Sequence, residues 1–438
     1  MEAKYAPPSM VQIKDIRSGK LTGREIELKG WIYRTRTVGG KVFVVLRDST
    51  GTLQVAITKG EVPPEQFEAA AKALIESAVI VRGTVVQDKR APGGYEVRAK
   101  DVHVVSFAEK YPITEDQSEE FLLDVRHLWV RSQRMTQILR VRHTVFGAIH
   151  GYFRDRGFWE VHPPMITPAG SEGGSTLFEM DYFGRKAYLT QSWQLYAEAL
   201  VLAMERVYYI GPSFRAEKSR TTRHLTEYWH AEMEQAWVGM EEAITHAEGV
   251  ISAACARVAE ERPDEVIVFG RTPESLKAVT PPFEHIRYDD ALKLLKAKGI
   301  EIEWGKDLRT LEERALTEGK SKPIVVTHYP VVSQAFYKRR DPKDPKYVLG
   351  FDVIAGDDVG EIVGGSERET DLEVLKKSLA DQGEDPKAYD WYLDTRRYGS
   401  VPHAGFGMGV ERLIQWILKL PHIRDAIPFP RTPARFSP

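Results

Sequence analysis

Cysteine is almost missing from this sequence. Cys255 stands alone among 438 residues, which excludes an internal disulfide and any cysteine-ligated zinc site. Long apolar runs are missing too. No stretch reaches the about 18 apolar residues that cross a bilayer, and Met1-Glu2-Ala3-Lys4-Tyr5 does not open an apolar leader. The expectation is a cytoplasmic protein with no membrane partner. No Gly-rich phosphate loop of the G-x-G-x-x-G or P-loop type follows a strand, so any nucleotide must be held differently. Net charge is only −2, so no global basic field announces a nucleic-acid partner. The balance is uneven, however. Residues 1–105 hold 17 Lys and Arg against 12 Asp and Glu, which fits either an RNA-contacting region or a chance imbalance.

What is present divides the chain. Short alternating segments at Glu25–Thr35, Lys41–Arg47, Gly51–Ile57, Ala78–Val86 and Tyr95–Ser106 read as five strands. A helical stretch, Pro64–Glu76, interrupts the series after the third. That order is the order of an OB-fold barrel, although periodicity alone does not separate it from other small barrels. Residues 107–134 read as a polar connector. From Met135 an amphipathic helix runs to Arg156 and stops at Gly157. Strands and helices then follow in mixed order to 438, with a Glu-, Lys- and Ala-rich span at about 240–322 that reads as a helical insertion. The expected class is α+β, with a barrel at 1–106 and a larger domain at 135–438.

Three constellations carry chemistry. Arg215-Ala216-Glu217 is followed by Arg223-His224. An arginine held on a strand can grip a phosphate and a carboxylate bidentately, and Glu217 can accept from an adenine amino group. A solvated charged loop is the plainer alternative. In Gly405-Phe406-Gly407-Met408-Gly409, alternate glycines let backbone approach a flat ligand, and the helix that follows presents Arg412 to an anion. A strand packed closely on a neighbour would show the same pattern. Asp352 and Glu361 flank Gly356–Gly360 and can hold Mg²⁺ against a triphosphate, or simply face water.

Together, in this order and spacing, these segments resemble the signature motifs of class II aminoacyl-tRNA synthetases. Gly157–Pro164 is similar to the first, Phe214–Glu232 to the second and Gly405–Arg412 to the third. With the N-terminal barrel, the resemblance is to the aspartyl/asparaginyl/lysyl subgroup and covers nearly the whole chain. It implies ATP as a substrate with Mg²⁺ as cofactor, and a homodimer with Pro164 at its interface. Arg215 and Arg412 would be catalytic. Glu217, Arg223, His224, Leu225, Glu361 and Gly409 would complete the ATP site with those two, and Asp352 and Glu361 would bind the metal. Within Gly30-Trp31-Ile32-Tyr33-Arg34 and beyond, Phe43 would stack on an anticodon base while Gln54 and Arg36 read edges and phosphates. Phe43 as an ordinary barrel-core residue stays open.

Within the subgroup, Gln191-Ser192-Trp193-Gln194-Leu195-Tyr196-Ala197 resembles the asparaginyl members. Aspartyl members place a lysine where Ala197 stands. Thr226–Glu234, Arg396–His403 and Ile423–Pro433 point the same way. The implied reaction is activation of L-asparagine by ATP and its transfer to tRNA(Asn). Glu172 would hold the substrate ammonium and Gln194 the amino-acid backbone, within a pocket that includes Gln191, Ser192 and Glu232. Arg215 would bind the carboxylate and Arg368 the side-chain oxygen, with Glu227 as acceptor for the side-chain NH₂. Gly364-Gly365 departs from the aspartyl pattern, which carries a serine near the metal. Rival readings are a non-discriminating aspartyl enzyme, a tRNA-independent asparagine synthetase of the same fold, and a catalytically silent RNA-binding protein. Ala197 disfavours the first and the barrel the second. The third would have lost Arg215, Glu217, Glu361 or Arg412.

Overall fold

The computed structural model describes residues 11–113, 117–171, 176–218 and 221–438, and these divide into two compact units at Leu123/Asp124. That division falls inside the connector expected at 107–134.

The first unit holds α1 (Ile13–Arg17), β1 (Glu25–Val38), β2 (Lys41–Arg47), β3 (Thr52–Thr58), α2 (Pro64–Lys72), β4 (Ala78–Gln87) and β5 (Tyr95–Ser106). The strands close into a barrel in the order β1-β2-β3-β5-β4, antiparallel except for β3 beside β5. Alternation decides which side chains enter it. Ile26, Leu28 and Ile32 of β1 and Val42, Val44 and Leu46 of β2 are buried together inside. Phe43 lies between two of those inward positions and so stands on the outer face, half-buried. The core-residue alternative for Phe43 is therefore discarded.

The second unit follows α3 (Glu119–Asp124). It comprises α4 (Arg126–Trp129), α5 (Gln133–Arg154), β6 (Trp159–Glu160), β7 (Ile166–Thr167), β8 (Glu179–Tyr182), β9 (Arg185–Leu189), α6 (Gln194–Met204), β10 (Arg206–Phe214) and β11 (Glu227–Ala236). Next come α7 (Met240–Glu261), α8 (Pro263–Val268), α9 (Pro273–Lys277), β12 (Glu284–Arg287), α10 (Tyr288–Ala297), α11 (Thr310–Thr317), β13 (Ile324–Thr327), β14 (Gly350–Ala355) and β15 (Gly360–Glu367). The unit ends with α12 (Leu372–Asp381), α13 (Asp390–Arg397), β16 (His403–Gly409) and α14 (Val410–Ile417).

Its eight-stranded sheet has the order β12-β13-β14-β15-β16-β11-β10-β6, and only the outermost pairs, β12 with β13 and β6 with β10, are parallel. One face is covered by helices. Ser132 caps α5 by accepting from the Met135 N–H at 3.2 Å. Ile138, Val141, Val145 and Ile149 then recur at helical spacing along its buried side. α7 presents Ala243, Ala247, Ile251, Ala254 and Val258 to the same core, with Phe406 and Met408 of β16 and Ala231 and Met233 of β11 beneath. The span 240–322 is thus corrected. It opens with a core helix and contributes β12 to the central sheet, where Ile286 packs with Tyr288, Ala291 and Leu295 of α10.

Candidate active site

The opposite face of that sheet carries polar side chains. On β11, Ala231 and Met233 point to the helices, so His230, Glu232 and Glu234 point the other way. On β16, Phe406 and Met408 face the core and leave Gly405, Gly407 and Gly409 on the open side. A Cβ at Gly407 would stand 2.6 Å from His230 Nε2, so glycine is what allows the two strands to carry a site here.

Arg215 follows β10 directly and is held there by its N–H to the Thr226 carbonyl at 2.9 Å. Arg412, in the first turn of α14, donates to the Glu361 carbonyl at 2.6 Å. Between them opens a cleft. Every residue expected at the ATP site lines it: Arg215, Glu217, Arg223, His224, Leu225, Glu361, Gly409 and Arg412, joined by Tyr228 and His230. The two histidines are neutral here. Burial, reinforced by Arg215 and Arg412, depresses His230 to about 3. Burial and then Arg412 depress His224 to about 4. In each case burial penalises the charged form first, and the neighbouring arginines add to it.

Asp352 and Glu361 come from paired strands and meet over Gly364. A Cβ there would lie 3.0 Å from Glu361 Oε1 and 3.5 Å from Asp352 Oδ1, so the glycine that departs from the aspartyl pattern clears the space between them. Burial, then the neighbouring Glu361 charge, pushes Asp352 well above the carboxylate range. A cation would reverse that penalty. No cluster of three or more metal-ligating side chains occurs among the described residues. Two carboxylates fit a magnesium ion that takes its other oxygens from phosphate and water.

Beside the cleft lies a buried polar network. Glu232 accepts from Ser192 Oγ and, at 3.1 Å, from the Trp193 N–H. Gln191 donates to Thr176 at 2.7 Å, and Gln194 donates to Glu198 at 2.7 Å. Arg368, 2% exposed, grips both oxygens of Glu234 at 2.9 Å and reaches Ser366 at 2.7 Å. Behind them, Glu198 is surrounded by donors from Tyr392, Arg396 and His403. Burial opposes its charge, but Arg396 and then His403 hold its carboxyl well below the usual range.

Not every expected residue joins this assembly. Glu172 lies outside the described residues. Glu227 shares a strand with Glu232, but its parity is opposite. It lines a separate groove with Trp229 and with Arg142 and Phe146 of α5, and its backbone forms a β-bridge with Arg431. The amide-acceptor role expected of Glu227 is therefore corrected, since a period of two turns it to the helix-covered face. Glu234, on the pocket face and fully buried, is the carboxylate that Arg368 meets. It was findable, because it shares parity with Glu232. Ala197 is packed in an apolar cluster with Trp193, Val201 and Tyr209. Pro164 is exposed, as is Trp159 at 60%. On the barrel, Arg36 lies 4.8 Å over the Phe43 ring, and Gln54 donates to Glu96 at 2.9 Å.

Comparison with known families settles the class of molecule. Residues 118–433 match the family of class II tRNA synthetases (D, K and N), and residues 26–105 match the OB-fold nucleic acid binding domain. The chain belongs to the class II tRNA synthetases. Among relatives of this synthetase, the asparagine–tRNA ligase of Thermococcus gammatolerans is 48% identical over 419 residues, which is 96% of this chain and 97% of that protein. The asparagine–tRNA ligase of Thermoplasma acidophilum is 44% identical and spans 98% of this chain and 100% of its own. The solved structure of asparaginyl-tRNA synthetase from Pyrococcus horikoshii complexed with asparaginyl-adenylate superposes with a TM-score of 0.95. It shares 46% identity and covers 99% of this synthetase and 100% of its own chain.

Proposed function

We propose that this synthetase is an asparagine–tRNA ligase that works as a homodimer in the cytosol. The observation that carries the choice of amino acid is the buried Arg368–Glu234 pair beside the ATP cleft. An amide needs a donor for its oxygen and an acceptor for its nitrogen. Arg368 offers the first and Glu234 the second. Aspartate would set a second carboxylate against Glu234, with no lysine at 197 to offset it.

In the first step a carboxylate oxygen of asparagine attacks the ATP α-phosphorus, and the bond to the leaving pyrophosphate breaks. Arg215 holds the reacting carboxylate and α-phosphate, while Arg223, His224 and Arg412 lie along the outer phosphates. Asp352 and Glu361 would hold Mg²⁺, which supplies charge neutralisation on the triphosphate. No general base is needed, because the attacking group is already ionised. The rate comes from positioning and electrostatic stabilisation. A ribose hydroxyl at the 3′ end of tRNA(Asn) then attacks the mixed anhydride and expels AMP. The tRNA's anticodon would meet Phe43 and Arg36 on the barrel's outer face, while Gln54, buried and donating to Glu96, would have to be uncovered to read a base edge. Exposed Trp159 and Pro164 support the dimer, as apolar surface that a second copy would cover. Pyrophosphate exchange measured with each amino acid tests the proposal. Asparagine should support exchange with kcat/KM at least about a hundredfold above aspartate; equal rates would overturn it.

A further inference from the structure

One buried carboxylate at the cleft has no part in the reaction just described. Glu313, on α11, is 5% exposed. Its Oε2 pairs with Arg223 Nη1, and its Oε1 accepts from the Glu361 N–H at 3.2 Å. Gly360, at φ +76°, lies against this pair. A Cβ there would overlap Arg223 Nη1 and stand 2.5 Å from Glu313 Oε2. The residue that begins β15 is thus glycine where the pair requires it to be. Arg223 Nε is buried with no hydrogen-bond partner among the described residues, although the side chain lines the cleft beside His224 and Arg412.

From this geometry, and resting on the reading of the cleft as an ATP site, we infer that Glu313 is a positioning residue for the triphosphate. It anchors one edge of the Arg223 guanidinium, so that the remaining donors are aimed before ATP arrives. Through the Glu361 N–H it also ties Arg223 to the β14–β15 hairpin that carries both metal-binding carboxylates. A guanidinium is a rigid planar fork, so fixing one edge fixes where the others point. Less rotamer freedom is then lost on binding. Stability alone does not explain the pair, because buried ion pairs are often replaceable by apolar residues without loss.

Glu313→Gln tests this, since its amide oxygen can still accept from the Glu361 N–H while the charge and the acceptor that face Arg223 are lost. ATP with Mg²⁺ is titrated into the full-length protein by calorimetry, and KM for ATP and for asparagine are measured in pyrophosphate exchange. The expected result is an ATP Kd about tenfold higher with KM for asparagine within about twofold. Glu313→Asp, which restores the charge, should recover part of the ATP affinity. Arg223→Ala alone and Arg223→Ala with Glu313→Gln should bind ATP equally, because the glutamate acts through the arginine. Unchanged ATP affinity in Glu313→Gln, an equal loss for asparagine, or additive losses in the double variant would overturn the inference. Failure of the parent protein to bind ATP would instead sink the reading of the cleft.

Discussion

Glu227 and Glu234 lie on one strand and face opposite ways, and the proposed selection of a substrate amide by Glu234 rests on that difference. Glu234→Gln retains shape but removes the charge that would repel aspartate. It should lower the asparagine-to-aspartate ratio of kcat/KM by about tenfold or more, equivalent to at least about 1.4 kcal/mol. Glu227→Gln should leave that ratio within about twofold. A ratio that responds to Glu227 and ignores Glu234 would show the strand parity to be irrelevant. His230 offers a separate check through stability. Its folded pKa of about 3 lies below the ordinary histidine value of 6.5, so between those limits the unfolded chain binds more protons. Its stabilising contribution is present above pH 6.5 and is lost as pH falls below it. Urea unfolding at pH 4–7 should show a stability slope steeper in the parent than in His230→Gln, by up to about 1.4 kcal/mol per pH unit. Parallel curves would place a water-exposed imidazole at this position.

At the scale of the element, the strands explain both what the sequence revealed and what it hid. Glycines at every second residue of β16 were legible because only a close approach of backbone asks for that pattern. The arginines of the cleft were legible because each stands beside a strand or turn signal. Glu227 was misread because a carboxylate's identity was weighed without the parity of its strand. Glu313 left no local trace, since its partners are Arg223 and Glu361, which lie far along the chain. The composition of 240–322 concealed β12, because a four-residue strand is too short for its period to show. On the barrel the parity was readable. Phe43 occupies the outward register opposite Arg36, so Phe43→Ala should leave the barrel folded and weaken tRNA binding by about 1–3 kcal/mol. Filter binding with unchanged affinity, or a barrel that unfolds, would remove Phe43 from the RNA surface.

At the scale of the whole molecule, the two units divide the proposed work. The described residues that line the cleft all belong to the catalytic unit, which has its own hydrophobic core. A fragment starting at Ser118 should therefore keep asparagine-dependent pyrophosphate exchange near the parent rate and lose most aminoacylation. It should also sediment as a dimer, since Trp159 and Pro164 remain in it. A folded monomeric fragment with full exchange would refute the dimer, and a folded fragment without exchange would refute the division of work. The order of the catalytic sheet has one more consequence, for how the protein is made. β16 lies between β15 and β11, yet it is the last of all the strands to be synthesised. Arg126, near the start of the unit, donates to the carbonyls of Arg424, Ile427 and Pro428. Until those residues leave the ribosome, the nascent sheet is two half-sheets, each with an unpaired inner edge open to other chains. A ribosome that stalls late would thus release an adhesive intermediate with no active site, and not a slower enzyme.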